Sequence, residues 1–532
     1  MRVVEVSYTW PAETFIQRHV LALREAGLDV CLIARQGTTL QSSSASIGEA
    51  RRDIPARVMP NFDHLDLAGK VWSLRHLLTR PERAVGTRPL RDRVLLAFFE
   101  RLKPDLIHFH TASLAVAMSW IPKELGIPHT VSVRGSDVQV FPLRSDGQAE
   151  ATAQTLRGAS GIHVVCKALG ERAERLCGVP LERKAIYTAV SVPTSLPPYQ
   201  PPATELHLLS VGRIHWCKAF PDLLLALKAM HEWGYPARLT LVGSGEDSSR
   251  IAHWVRKLDL SEHLELPGKL PLDQFRDLFS QASAFVQSSV AEGFSNAVAE
   301  AMAWGCPVFA TDVGGSAEII QDGENGFLLP ALQPETWPER LRLAQDRTLM
   351  ERVRQAAYET ARRLFDPRRH AEDFLAFYEQ AIRRGPIPST SAPARPAHAD
   401  SAPADTSSAG LRLLVRGAWH WENGTDLILR ALAPLCREGR LQMVLWGGGP
   451  QEDELRYLVD FLRLDGRVQL IESTPGPEGS ASEWGQRATI TLDISEAQSR
   501  GWQLTRNGVS VACLPFGEIQ ALRGILEEVL GE

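Results

Sequence analysis

Short apolar runs rich in β-branched residues alternate with helical patterns along most of this chain. That rhythm limits the fold more than any other feature. The run "RVVEV" leads into an amphipathic stretch carrying Phe15, Ile16, Val20 and Leu23, which ends near Gly27. "DVCLIA", "DLIHFH", "HTVSV" and "IHVVC" follow, with helical patterns between most of them. Such alternation implies βαβ units and a parallel sheet. Five prolines crowd the stretch from Ser191 to Pro202, which predicts an interdomain linker near residues 191–205. A second alternation opens at "LHLLSVGR" and continues through "ARLTLVGSG", "HLELPG", "SAFVQSS" and "CPVFAT", with helices to about Arg384. The fold class is α/β, with two Rossmann-like halves joined by a Pro-rich hinge. Ligands in such sheets bind beyond the carboxyl ends of the strands, here in the cleft between the halves.

The segment Gly385–Gly410 is rich in Pro, Ala and Ser and cannot bury a core, so a flexible tether is expected. Beyond it the second half repeats. "HLLSVGRIHWCKAFPDLLLALKAM" precedes "RLLVRGAWHWENGTDLILRALAPL" by 205 positions, pairing Gly212 with Gly417, His215 with His420, Trp216 with Trp421 and Ala226 with Ala431. Matches at constant spacing mark a duplication. The copy lacks charged groups of the original: Arg213 faces Ala418, Lys218 faces Asn423, and Glu300 falls opposite Leu504, although Glu292 still faces Glu496. The expected domains are 1–195, 203–365 with a closing helix 366–384, a linker 385–410, and a degenerate Rossmann-like repeat 411–532.

The 532 residues are 44% hydrophobic and 23% charged, with a net charge of -5, so no global basic field points to nucleic acid. Seven scattered cysteines form no CxxC pair, which fits reduced thiols in a cytoplasmic setting and speaks against a zinc or disulfide framework. The opening "MRVVEVSYTW" carries Glu5 in a short apolar run and reads as a strand, not a signal peptide. No apolar run reaches the ~18 residues of a membrane span. Arg51 to Lys103 holds twelve Arg or Lys against six Asp or Glu. Two readings stay open for it: solvated amphipathic helices, or peripheral contact with an anionic membrane or lipid-linked acceptor.

The chemistry-bearing residues cluster in the second half. Gly212 and Arg213 follow a strand, and Lys218 stands at the start of a helix. Glycine admits a ligand close to the backbone, and Arg with Lys supplies a fork and a point charge suited to a diphosphate. A solvated surface loop is the plain alternative. Gly243 and Gly245 mark another strand end, weakly, because a lone GxG is also just a tight turn. The stretch "SSVAEGFSNAVAEAMAWGCPVFA" is small and apolar apart from Glu292 and Glu300. Ser295 or Asn296 would cap its helix, and the amides from Gly293 to Asn296 would form a nest for an anion or sugar hydroxyls. The two carboxylates would hold hydroxyls at two ends of one ligand, or each would pair with a nearby Arg or Lys. Gly314 and Gly315 add a backbone loop that Glu318 would orient, unless it caps the next helix. In the first half, His108 and His110 alternate on a strand, one toward each side, and read as core groups sooner than catalysts. In "SVRGSDV", Arg134 either reaches a sugar or phosphate with Asp137 orienting it, or forms an ion pair with Asp137 at a strand end.

Residues 207–328 resemble the family-four glycosyltransferases of the GT-B fold. The resemblance rests on Gly212-Arg213, Lys218, "EGF" at Glu292–Phe294, Glu300 in "EAMAWGCPV", and Gly314-Gly315. It extends more weakly over residues 1–190, where "AETFI" is similar to the opening of bacterial exopolysaccharide enzymes, and on to about 384. The resemblance implies retaining transfer of a sugar from a UDP- or GDP-linked donor to a polysaccharide, glycolipid or other glycosidic acceptor, in the cytoplasm, with no cofactor and no metal. Arg213 and Lys218 would bind the diphosphate and Glu300 the ribose. Glu292, with Gly293, Phe294, Ser295 and Asn296, would hold the transferred sugar. Gly212, Gly243 and the "ELPGKL" turn with Lys269 and Leu270 would complete the donor site, and Arg134, Asp137 and His110 would contribute from the first half. A nucleotide-sugar epimerase, hydrolase or phosphorylase of the same fold, or a regulatory nucleotide-sugar-binding protein, remains the competing class.

Overall fold

In β1 (Arg2–Trp10), Val3, Val4 and Val6 are all fully buried although neighbours point to opposite faces. A strand covered on both faces belongs in a parallel sheet between helices. The computed structural model bears this out, describing residues 1–10, 12–37, 56–59, 90–201, 204–388, 411–472, 490–494, 502–506, 509–514 and 522–527. The chain forms two units. One comprises Met1–Val138, Glu150–Glu246 and Val255–Ala394, and the other Gln139–Ala149, Asp247–Trp254 and Arg395–Glu532.

The first unit holds two all-parallel sheets. In the first, β1 lies between β2 (Asp29–Gly37) and β4 (Leu106–Phe109), and β3 (Ala56–Val58), β5 (His129–Val133), β6 (Gly161–Val164) and β7 (Arg183–Ala185) complete the order β3-β2-β1-β4-β5-β6-β7. Helix α1 (Thr14–Glu25) buries Ile16, His19, Val20 and Leu23, the one-sided spacing of an amphipathic helix. Helix α2 (Lys167–Cys177) ends on Gly178 in the left-handed region at φ +68°. The second sheet runs β10 (Leu264–Gly268), β9 (Ala237–Val242), β8 (Leu206–Val211), β11 (Ala284–Gln287), β12 (Val308–Thr311), β13 (Phe327–Leu329). Helix α3 (Phe220–Glu232) follows β8, and α4 (Asn296–Ala303) joins β11 to β12. Helix α5 (Pro367–Arg384) starts on Asp366, which accepts from the amides of Arg368 and Arg369. It returns to the first sheet, where Phe374, Phe377 and Tyr378 share a core with Val3, Ile16 and Val20.

The Pro-rich segment is less free than a hinge would be. Tyr358 donates to the carbonyl of Pro193 (2.8 Å), Tyr199 donates to that of Ser283 (2.9 Å), and Arg354 donates to that of Pro197. Among the described residues no helix is long and apolar enough to cross a membrane. Of the basic region Arg51–Lys103, β3 and the helix Leu90–Leu102 are described; the stretch between them lies outside the described residues.

In the second unit the sheet order is β16 (Val468–Glu472), β15 (Leu441–Gly448), β14 (Leu411–Ala418), β17 (Ile490–Asp493), β18 (Trp502–Arg506), β19 (Val509–Leu514). The first four strands are parallel and reproduce the order β10-β9-β8-β11. Helix α6 (Thr425–Arg437) follows β14 as α3 follows β8. The likeness then stops, because β18 and β19 are antiparallel to their neighbours. Where the repeat would place a counterpart of α4, the described residues form a strand instead: Leu504 lies on β18, opposite Leu492. Eight residues separate Asp493 from Trp502, whereas a parallel crossover needs about a dozen or more. The module is therefore a mixed sheet, and Leu504 is not the counterpart of Glu300. Glu496 lies outside the described residues.

Candidate functional site

The residues singled out in the second half all follow carboxyl ends of parallel strands: Gly212 after β8, Gly243 after β9, Lys269 and Leu270 after β10, Glu292 after β11, Gly314 and Gly315 after β12. The expected "ELPGKL" turn is in part strand, since Glu265 to Gly268 belong to β10 and the turn begins at Lys269. Glycine is required where these loops touch. A Cβ on Gly243, whose φ is +153°, would lie 1.8 Å from the carbonyl oxygen of Gly212. One on Gly293 would lie 1.9 Å from the carbonyl oxygen of Arg134, at the end of β5 in the other sheet. The two halves of the unit thus meet backbone to backbone at this point.

Both carboxylates are paired with cations. Lys218 Nζ donates to Glu292 Oε2 at 2.5 Å, and Arg18, from α1, donates to Glu300 Oε1 at 2.7 Å. The side chains of Lys218 and Glu292 are 16% and 13% exposed, too sheltered for the pair to be a solvated surface contact. Burial pushes the Lys218 ammonium down, the Glu292 charge pushes it up, and the net is above its ordinary value. Ser289 also donates to Glu292 Oε2 (3.1 Å), and Gln287 holds both Ser289 and Ser295. Arg213 is exposed, lies within electrostatic reach of Lys218, and forms no ion pair among the described residues.

Ser295 is the helix cap, accepting from the Val298 amide, so α4 begins at Asn296. Among the described residues, the amides of Gly293, Phe294, Ser295 and Asn296 donate no hydrogen bond, and the buried Oδ1 of Asn296 accepts none. This helix start presents four donors and an acceptor awaiting partners. The Phe294 ring is occupied elsewhere, stacked on Tyr187 at 5.5 Å and edge-on to Phe365. Glu318 neither orients the glycine loop nor caps the helix that follows it. It accepts from the amides of Lys167 and Ala168 at the start of α2, and from the Tyr187 hydroxyl.

In the first half, Asp137 holds the backbone beside Arg134, and among the described residues no ion pair joins it to the guanidinium. Its oxygens accept from the amides of Ala112 and Arg134, and burial raises its carboxyl above the usual range despite them. Arg134 donates to the His110 carbonyl (3.1 Å) and approaches His110 Nδ1 (3.4 Å), while Phe15 covers its guanidinium and burial brings it down to about 10.

His108 and His110 do not face opposite sides. Residues two apart share a strand face, and their rings lie 5.0 Å apart in one buried cluster. His110 Nε2 bonds Glu5 Oε2 and His19 Nε2 bonds Glu5 Oε1, both at 2.9 Å. His19 Nδ1 meets His370 Nε2, and His370 Nδ1 donates to the Tyr187 carbonyl. A carbonyl can only accept, so His370 carries its proton on Nδ1, and His19 carries one on its own Nδ1. The Arg134 guanidinium at Nδ1 of His110 likewise leaves the proton of that ring on Nε2, facing Glu5. Glu5, His19 and His110 converge closely enough to hold an ion. With a proton on one vertex and a guanidinium behind it, the trio fits a hydrogen-bonded network better than a cation. Burial would raise the Glu5 carboxyl, but His19 and His110 hold it well below its ordinary range.

Sequence reasoning missed Arg18, His19 and the partnership of Glu5. Arg18 and Glu300 are 282 positions apart, and no local pattern links them.

Residues 12–186 match the family model for the glycosyl transferase 4-like domain, and residues 193–360 match that for glycosyl transferases group 1. The chain belongs to these GT-B glycosyltransferases. This glycosyltransferase is 26% identical over 312 residues to TuaC of Bacillus subtilis (strain 168), named for teichuronic acid biosynthesis, covering 56% of this chain and 76% of the relative. It is 24% identical over 364 residues to WcaL of Escherichia coli (strain K12), named for colanic acid biosynthesis, covering 62% and 86%. Among solved structures, Anabaena HepE in complex with UDP and glucose aligns with a TM-score of 0.56 at 16% identity, over 71% of this chain and 99% of that one.

Proposed function

We propose that this glycosyltransferase transfers a hexosyl group, with retention, from a nucleotide-sugar donor to a saccharide or lipid-linked acceptor. The observation that carries the reading is the start of α4, where four amides and Asn296 Oδ1 stand without partners beside Lys218 and Glu292. Departure of a nucleoside diphosphate builds negative charge, and prepositioned N–H groups with Arg213 and Lys218 would meet it without reorganisation. Glu292 would hold the transferred sugar and Glu300 the ribose. Lys218 then answers to two anions, steadied by Glu292 before the donor arrives and drawn to the diphosphate afterwards. The solved neighbour holding UDP and glucose, and relatives named for cell-surface polysaccharides, support a UDP-linked donor and a glycan acceptor.

A thermal-shift screen against UDP-, GDP- and ADP-sugars tests the donor class, since a ligand that binds only the folded chain raises its melting temperature. With the donor found, Lys218→Ala and Glu300→Ala should each slow transfer at least about tenfold without unfolding the protein. Full activity in both variants would refute the site.

A further inference from the structure

Glu300 has a partner that no motif announced. Arg18 stands on α1, in the half opposite the proposed donor site, and reaches Glu300 Oε1 at 2.7 Å. The two side chains are 20% and 13% exposed, enough shelter for a charge-assisted hydrogen bond to direct a carboxylate. Helix α1 is held at the neighbouring residue: His19 is buried between Glu5 on β1 and His370 on α5, with 2.9 Å contacts to each. Ile16, Val20 and Leu23 seat the same face in the core. Neither rotation nor sliding of α1 is available without breaking that network, so the direction of Arg18 is set by the fold.

Given the reading of Glu300 as the ribose ligand, we infer that Arg18 is a positioning residue for the donor. It engages Oε1 and turns Oε2 toward the nucleoside. The first half of the enzyme thereby contributes to nucleotide affinity through Glu300, without touching the diphosphate. Removal of Arg18 loosens the grip on the nucleotide and leaves the bond-making groups, Arg213, Lys218 and Glu292, in place.

The test titrates the full chain with UDP, GDP and ADP by calorimetry and uses the nucleotide that binds. Arg18→Ala and Arg18→Gln should each weaken its binding about tenfold, the size of one charge-assisted hydrogen bond. Arg18→Lys should restore part of the loss, because it returns the charge without the fork. The double variant Arg18→Ala/Glu300→Gln should bind no more weakly than Glu300→Gln alone. With the matching nucleotide sugar, KM should rise while kcat changes less than about twofold. Should Glu300→Gln weaken binding while both Arg18 variants bind as wild type, this inference falls and the ribose assignment stands. Wild-type binding by Glu300→Gln, or no binding of any of the three nucleotides by the wild type, overturns the assignment and the inference together. A loss of affinity that tracks a fall in melting temperature and that Arg18→Lys does not relieve marks Arg18 as a structural strut and also overturns it.

Discussion

His215 and His420 each cap a 3-10 turn, accepting from the amide two residues on, in Trp216–Lys218 and Trp421–Asn423 respectively. The His-Trp ring pairs lie 5.5 and 5.4 Å apart. Each turn hands over to its helix through a left-handed residue, Ala219 at φ +46° and Gly424 at φ +72°. Behind them the strand ends press together alike: a Cβ on Gly447 would meet the carbonyl of Gly417 at 1.9 Å, as one on Gly243 would meet that of Gly212. What differs is the charge. Lys218 reaches Glu292, while Asn423 at the matching place folds back to donate to the carbonyl of Ala418 and lends its own carbonyl to Trp502. The same capped turn stands with and without the cation. That difference accords with the ligand role proposed for Lys218.

Exchange of residues between the copies should show this most sharply. Lys218→Asn, which installs the module's residue, should cut turnover by about 10²–10³ with little change in melting temperature. Asn423→Lys should leave the rate unchanged. Equal effects of the two exchanges on a transfer assay would erase the distinction.

Packing should treat the copies alike where chemistry does not. Gly243→Ala and Gly447→Ala should each destabilise by about 1–3 kcal/mol in chemical denaturation, since a methyl group must displace a carbonyl in both. Tolerance of one and not the other would show that the two strand-end contacts are not equivalent.

Acid should separate the units. Burial pushes His110 and His129 down to about 4 and His370 to about 3, and lowers His108 and His163 as well. Between those values and the ordinary 6.5 the unfolded chain binds more protons than the folded one. Stability therefore falls as pH drops from about 6.5 toward 4. Glu5, held low by His19 and His110, adds a loss in the same direction as pH falls below the ordinary carboxylate range. The second unit contains three histidines, His253, His398 and His420, against twelve in the first. Calorimetry from pH 7 to 5 should thus show the transition of the first unit moving down more than that of the second. A smaller shift in the first unit would contradict the buried network.

The smallest effect concerns the left-handed residue. Ala219→Gly should stabilise by up to about 1 kcal/mol, because a Cβ is costly at that φ, whereas Gly424→Ala should destabilise by a similar amount. Denaturant midpoints measure both.

The strand–helix rhythm made both parallel sheets readable, because burial on both faces and strand-end glycines are local signals. The duplication was readable as far as β17 for the same reason. It failed at Leu504, where a short apolar stretch without helical caps suited strand and helix equally, and the eight-residue connection decides for the strand. The sides of His108 and His110 were misjudged although the pleat dictates them. Pairing of the site carboxylates with cations was one of two readings left open, but which cations was not legible. Glu292 meets a lysine 74 positions earlier and Glu300 an arginine on the first helix, and only the assembled fold brings such residues together.

Glu318 is placed to report any parting of the two halves. Its two oxygens occupy the amides of Lys167 and Ala168 while the halves are together. Were the halves to part, those two amides would pass to water and a helix start would lose its cap. The rate at which their hydrogens are replaced by deuterium should therefore count openings of the cleft, and a donor that seals it should slow the count.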